Sequence, residues 1–181
     1  MSSKSAVIIS SSPRKGGNSE LLAEEFARGA RSAGHRAEII FLRDLELNFC
    51  RGCLACQKTK RCVIRDGADD VLETVRSADV LAFATPVYYY SVSGQLKTFL
   101  DRMNPIYAAG HSFRRVYLLA AAAEEDRSAV NGAVSDISGW TACFEGAELA
   151  GTVCGIGVSD AGEITGHPEF LAEAYDMGRG I

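Results

Sequence analysis

Short apolar runs recur along the chain and limit its fold more than any other feature. They are Ala6-Val7-Ile8-Ile9, Ala37-Glu38-Ile39-Ile40-Phe41, Asp79 to Ala84, Val116 to Ala120, and a stretch near Leu149 to Ile156. Between them apolar residues fall at helical spacing: Leu21, Leu22, Phe26 and Ala30; then Val71, Leu72 and Val75 within Ala68 to Ser77; then Leu96, Phe99 and Leu100 within Ser93 to Met103. Helices read near Glu125 to Phe144 and at Pro168 to Met177 complete an alternation of five strands with five helices. Strands apolar on nearly every residue are buried on both faces, and right-handed crossovers place the intervening helices there. The expectation is one α/β domain over residues 1–181, a doubly wound sandwich with a parallel sheet, without linker or internal repeat. Pro86 is read as ending the third strand. Ligands of such sheets bind beyond the carboxyl ends of the strands, so the loops after the first, third and fourth strands should share a site.

The first of those loops is SSSPRKGGNS, Ser10 to Ser19, between an apolar strand and a helix start. The first N–H groups of a helix lack internal partners and lie at the positive end of its dipole, so they point at whatever fills the turn. Ser10, Ser11, Ser12, Asn18 and Ser19 add neutral donors, with Arg14 and Lys15 as cations. The spacing fits neither G-x-x-x-x-G-K-[ST] nor G-x-G-x-x-G, so the loop reads as a cradle for a single phosphate.

Net charge is −4 and basic residues are spread along the chain apart from one cluster, which gives no footprint for nucleic acid. No segment approaches the apolar length of a membrane span, and the N-terminus lacks a secretory signal pattern, so a cytoplasmic protein with small-molecule partners is expected.

The loop after the third strand, Thr85 to Gln95, reads TPVYYYSVSGQ. Three tyrosines at a strand end offer flat surfaces suited to a ring system, and the N–H groups after Pro86 are free to bond a heteroaromatic edge. SSSPRKGGNSE, ADVLAFATPVYYYSVSGQLKTFLDR and GTVCGIGVSDAGEITGHP together resemble the flavodoxin-like NAD(P)H-dependent FMN oxidoreductases over nearly the whole chain. That resemblance implies strand order 2-1-3-4-5, FMN as cofactor, NAD(P)H as co-substrate, and flavin, quinone or another small molecule as acceptor. It also implies a homodimer with the flavin near the interface, with pairing of dimers into a tetramer left open. By position, Ser12, Arg14, Asn18 and Ser19 would bind phosphate and Pro86, Val87, Tyr88 and Tyr89 would line the ring, with Ser10, Ser91 and Ala122 as weaker candidates. Ser11 departs from the family, which often has Gly there. Backbone donors near Val87 to Tyr90 would stabilise negative charge on the reduced ring, and no side chain is assigned as acid, base or nucleophile.

Cys50, Cys53, Cys56 and Cys62 give C-x2-C-x2-C-x5-C in a cysteine-rich connection at about 45–67. Four closely spaced thiols suit a cubane cluster, whose corner irons each need one thiolate. The motif resembles that of the iron–sulfur flavoproteins, which implies a [4Fe–4S] cluster relaying electrons, from ferredoxin, to FMN. Zinc, a thiol switch and a metal-free loop are the alternatives. Arg51, Lys58, Lys60 and Arg61 would offset thiolate charge and favour an acidic redox partner. Cys143 and Cys154 are read as inert core thiols.

Overall fold

The computed structural model describes residues 3–181. Its strands are β1 (Ser5–Ser10), β2 (Arg36–Phe41), β3 (Val80–Tyr88), β4 (Ser91–Val92), β5 (Arg115–Ala121) and β6 (Glu148–Gly155). Five of them form one parallel sheet in the order β2-β1-β3-β5-β6, while β4 pairs antiparallel with the end of β3 alone. With that two-residue strand set aside, the expected flavodoxin-like order 2-1-3-4-5 is the observed one.

The helices are α1 (Asn18–Ser32), α2 (Ala55–Thr59), α3 (Gly67–Ser77), α4 (Gly94–Asp101), α5 (Asn104–Ala109), α6 (Asn131–Ala142) and α7 (Pro168–Arg179). Seven α-helices among the described residues replace the expected five. The helix read over Ser93 to Met103 stops at Asp101, and Pro105, which cannot continue a helix, sits in the first turn of α5. The helix read from Glu125 begins only at Asn131, because the Asp126 carboxylate accepts from Ser128 N at 2.8 Å and folds Arg127–Val130 into a 3₁₀ turn. The short α2 lies inside the cysteine-rich connection, where no helix was expected.

Pro86 does not end β3, which continues to Tyr88. The Ala84 carbonyl faces β1, since it accepts from Ser11 N, and alternation turns the Pro86 nitrogen to the same side. The β1 ladder has already ended there, so the missing N–H costs β3 no bond.

Alternation along the strands divides the apolar residues between two layers. Val7, Ile9, Leu81, Phe83, Val116 and Leu118 face α3, α4, α5 and α6, while Ala6, Ile8, Val80, Ala82, Tyr117 and Leu119 face α1 and α7. The second layer depends on a close helix crossing. A Cβ on Gly29 would lie 2.0 Å from the Tyr175 carbonyl oxygen, and one on Gly178 would lie 2.0 Å from that of Phe26. Only glycine lets α1 and α7 approach so far, and this contact fixes the axis along which the N-terminus of α1 points.

Candidate functional site

The carboxyl ends of β1, β3 and β5 open on a cavity of about 410 Å³. Its walls include Ser12, Arg14, Asn18 and Ser19 from the first loop, Pro86, Val87 and Tyr88 from the third, and Ala121, Ala123, Val158 and Ser159. Seven of the residues expected at a cofactor therefore face one space, on loops far apart in sequence.

The first loop is built to present donors. Gly17 is the N-cap of α1 and supplies no capping side chain, so the opening N–H groups of the helix are left to the cavity. A Cβ at Gly17 would lie 2.4 Å from Ser12 Oγ, which donates to the Arg14 carbonyl at 2.8 Å and holds the loop in its curve. Ser19 is 1% exposed and its Oγ has no protein partner; Ser10 Oγ is likewise buried without one. Buried hydroxyls are rarely left unpaired, and an unpaired donor at a helix N-terminus facing a cavity suits an anion. Glu20, in the same first turn, does not oppose that charge, because the Arg43 guanidinium pairs with both of its carboxylate oxygens.

Buried hydroxyls tie this loop to the one after β3. Ser93 Oγ donates to Ser11 Oγ at 2.9 Å, and Ser11 Oγ donates to the Ala84 carbonyl at 3.0 Å. Ser93 N donates to Thr85 Oγ1 at 3.0 Å, and the Ser93 hydroxyl also caps α4. The hydroxyl of Ser11, where the resembled family often has Gly, is thus a structural bridge between the two ligand loops.

Beyond Tyr88 the chain reverses through Tyr89 and Tyr90, both left-handed at φ 50° and 65°, in a two-residue turn that pairs Tyr88 with Ser91. Non-glycine residues pay strain there. Tyr89, expected against the ring, is fully exposed at 101% and lies outside the residues that line the cavity. Ser91 also turns away: its Oγ donates to Asp136 Oδ2 at 2.5 Å and anchors the turn to α6. Ala122 bonds through its N–H to the Gly155 carbonyl, and its neighbours Ala121 and Ala123 face the cavity in its place.

Arg14 and Asn18 carry a second duty. Arg14 Nη2 donates to the Ser159 carbonyl at 3.0 Å, Asn18 Nδ2 donates to that of Asp160 at 2.9 Å, and Ile164 N donates to Asn18 Oδ1 at 3.1 Å. The Asn18 side chain is committed to the loop after β6, leaving its backbone N–H for a ligand. These bonds help bring Val158 and Ser159 to the wall, two residues inside the GTVCGIGVSDAGEITGHP stretch that the sequence did not assign to the site.

All four clustered cysteines line a second, narrow cavity of about 20 Å³, together with Arg51, Asp101, Arg102 and others. Cys50 and Cys53 are exposed, Cys62 is half-buried and Cys56 is buried, its thiol pushed up by that burial. Among the described residues no three His, Cys, Asp or Glu groups close around a single ion. Of the expected cations, Arg51 lines this cavity, while Lys60 bonds the Ala108 carbonyl and Arg61 reaches Asp69 at 3.4 Å.

The buried cation at this cavity is one the sequence did not reveal. Arg102 and Asp66 form a bidentate pair at 2.7 and 2.9 Å with side chains 1% exposed. Burial alone would raise the Asp66 carboxyl, but hydrogen bonds from Arg102 and Asn48 hold it down at about 2. Burial likewise disfavours the Arg102 charge, and Asp66 and Cys62 more than offset it. Cys154 is buried, as expected, and its thiol is pushed up by burial. Cys143 is exposed instead of core, because it falls just past the end of α6, outside the packed face.

The sequence model of a family described as NADPH-dependent FMN reductase matches residues 5–153. An iron-sulfur flavoprotein of Methanocaldococcus jannaschii is 41% identical over 98 residues, 54% of this chain and 51% of that protein. An iron-sulfur flavoprotein of Archaeoglobus fulgidus is 37% identical over 100 residues, 55% of this chain and 46% of that one. The chain spans about half the length of these curated relatives. Among solved structures, an NAD(P)H:quinone oxidoreductase from Methanothermobacter marburgensis has the same fold, with TM-score 0.73 at 18% identity over 99% of this chain and 97% of that chain.

Proposed function

The chain belongs to the NADPH-dependent FMN reductase family, and from that premise we propose that it binds FMN in the 410 Å³ cavity and passes electrons from NAD(P)H to a flavin, quinone or other small acceptor. The observation that carries this reading is the Ser19 hydroxyl, buried and unpaired beside the uncapped start of α1. A phosphate there would receive that hydroxyl and the first N–H groups of the helix, with Arg14 at its rim. The ring would lie toward Pro86, Val87 and Tyr88, where Pro86 presents a flat face and the backbone beyond it carries the donors. Bound FMN supplies the capacity to accept two electrons from a reduced nicotinamide and to hand them on. The protein positions it and screens its charge; no side chain is assigned as a proton donor. Addition of NADPH or NADH to the FMN-loaded protein without oxygen should bleach the flavin absorbance, and an unchanged oxidised spectrum would reject nicotinamide as the donor.

A second reading, an iron–sulfur flavoprotein that takes electrons from ferredoxin through a [4Fe–4S] cluster, is favoured by the convergence of Cys50, Cys53, Cys56 and Cys62 on one cavity. Four thiols in a C-x2-C-x2-C-x5-C run fit that cluster's donor set. A zinc ion needs its sulfurs drawn to about 2.3 Å from one point, a grouping the loop does not make. A cubane is larger than the cavity, and the exposed thiols of Cys50 and Cys53 are those that would turn outward to admit it. Anaerobic purification should yield about four irons and four sulfides per chain if this reading holds, and iron-free protein rejects it. The exposed Tyr89 and Tyr90 beside the flavin cavity support the homodimer or tetramer that the resemblance implies. No helix among the described residues is long and apolar enough to cross a membrane.

A further inference from the structure

The cysteine-rich connection is fastened at both ends by one side chain. Arg102, at the end of α4, is 2% exposed. Its Nη1 donates to the Asn48 carbonyl at 2.8 Å, two residues before Cys50, and its Nη2 donates to the Ile64 carbonyl at 3.1 Å, two residues after Cys62. The same two nitrogens hold Asp66 Oδ2 at 2.7 Å and Oδ1 at 2.9 Å. Asp66 is itself fixed by Asn48 N, Asn48 Nδ2 and Ala68 N at 2.9, 3.1 and 3.2 Å, so the guanidinium plane cannot turn.

A guanidinium carries five N–H groups in a rigid fork. The four on the terminal nitrogens are matched by the four bonds above. The fifth, on Nε, is buried without a partner, and Arg102 lines the cavity of the four cysteines. A buried charged donor calls for an acceptor. The nearest sulfur on this side is that of Cys62, the one cysteine whose charge, with that of Asp66, supports the guanidinium.

We propose that Arg102 is a positioning residue of the cysteine site, clamping both ends of the loop and donating its Nε–H to a sulfur of the cluster held by Cys50, Cys53, Cys56 and Cys62, with Asp66 fixing its orientation. The inference rests on the cluster reading above. Asp66 balances the guanidinium charge, so the Nε–H is what acts: a donor aimed at a sulfur stabilises the reduced, more negative cluster and raises its reduction potential.

The test is a dye-mediated redox titration of the anaerobically purified protein, followed by electron paramagnetic resonance, beside two variants. Arg102→Lys keeps a positive charge but has no Nε–H. The double variant Asp66→Asn/Arg102→Gln removes both charges together and strands neither, which guards against a variant that fails to fold. In the variants that fold, the cluster's reduction equilibrium should fall at least tenfold, 59 mV for one electron, with far-UV circular dichroism unchanged. Cluster potentials equal to the unaltered protein's in those variants overturn the role of Arg102 and leave the cluster reading standing. Unaltered protein that contains no iron removes the cluster reading and this inference with it.

Discussion

Replacing Asp66 by Asn should expose how much of the stability around the cysteine loop depends on one ion pair. In the folded chain the Asp66 carboxyl lies at about 2 against an ordinary 3.8. At about 1.4 kcal/mol per pH unit, that difference corresponds to about 2 kcal/mol of stability. The sign follows from which state binds the proton more readily. The folded state releases it first, so the contribution is complete above about pH 5, falls as pH drops through the range between the two values, and is gone below about pH 2. About half is already lost at pH 3. The Asn variant also leaves the Arg102 guanidinium, 2% exposed, without its counter-charge, which raises the expected cost near neutrality to about 3–5 kcal/mol. Urea unfolding of both proteins at pH 6 and pH 3, followed by far-UV circular dichroism, gives the comparison. Other carboxylates cancel in the difference. The stability gap should be several kcal/mol at pH 6 and narrower by about 1 kcal/mol at pH 3. Equal stability at pH 6 would show that the pair contributes nothing net, and a gap independent of pH would refute the lowered Asp66 carboxyl.

Ser19→Ala should weaken FMN binding by about tenfold, the worth of one hydrogen bond to a charged group, while the flavin-free protein melts no lower, because the hydroxyl removed has no protein partner; calorimetric titration and thermal melts read both. Arg14→Ala should also weaken FMN, by about tenfold at low salt and less at high salt, since the residue is exposed on the loop; salt-independent loss would mean that it acts only through its bond to Ser159. Gly178→Ala places a Cβ 2.0 Å from the Phe26 carbonyl oxygen and should destabilise by about 3 kcal/mol as α1 and α7 are forced apart, lowering Tm by roughly 6–12 °C.

The sheet was legible because β1, β3 and β5 are buried on both faces, and such strands leave an apolar run in the sequence. The loop after β1 was legible for a different reason: a strand, a small-residue turn and a helix start are contiguous, so Ser12, Arg14 and Ser19 could be placed at one cavity from local order alone. Tyr89 and Ser91 lie off the cavity because a left-handed turn reverses the chain between Tyr88 and Ser91, and nothing in three tyrosines announces a tight hairpin without glycine or asparagine. Arg102 was invisible because its partner Asp66 lies 36 residues away across a helix boundary, and a lone arginine ending an amphipathic helix looks solvent-exposed. Val158 and Ser159 are held at the site by long-range bonds, from Arg14 and Asn18 to the Ser159 and Asp160 carbonyls and from Val158 N to the Ala122 carbonyl, which no periodicity encodes.

In the proposed binding mode the start of α1 holds the phosphate of a flavin mononucleotide. Calorimetric titration of the flavin-free protein with FMN and with riboflavin, which differ only in that phosphate, tests it most directly. With the Ser19 hydroxyl and the uncapped N–H groups of α1 devoted to the phosphate, FMN should bind at least about a hundredfold more tightly, two charge-assisted bonds at about 1.5 kcal/mol each. Equal affinities for the two flavins would contradict it.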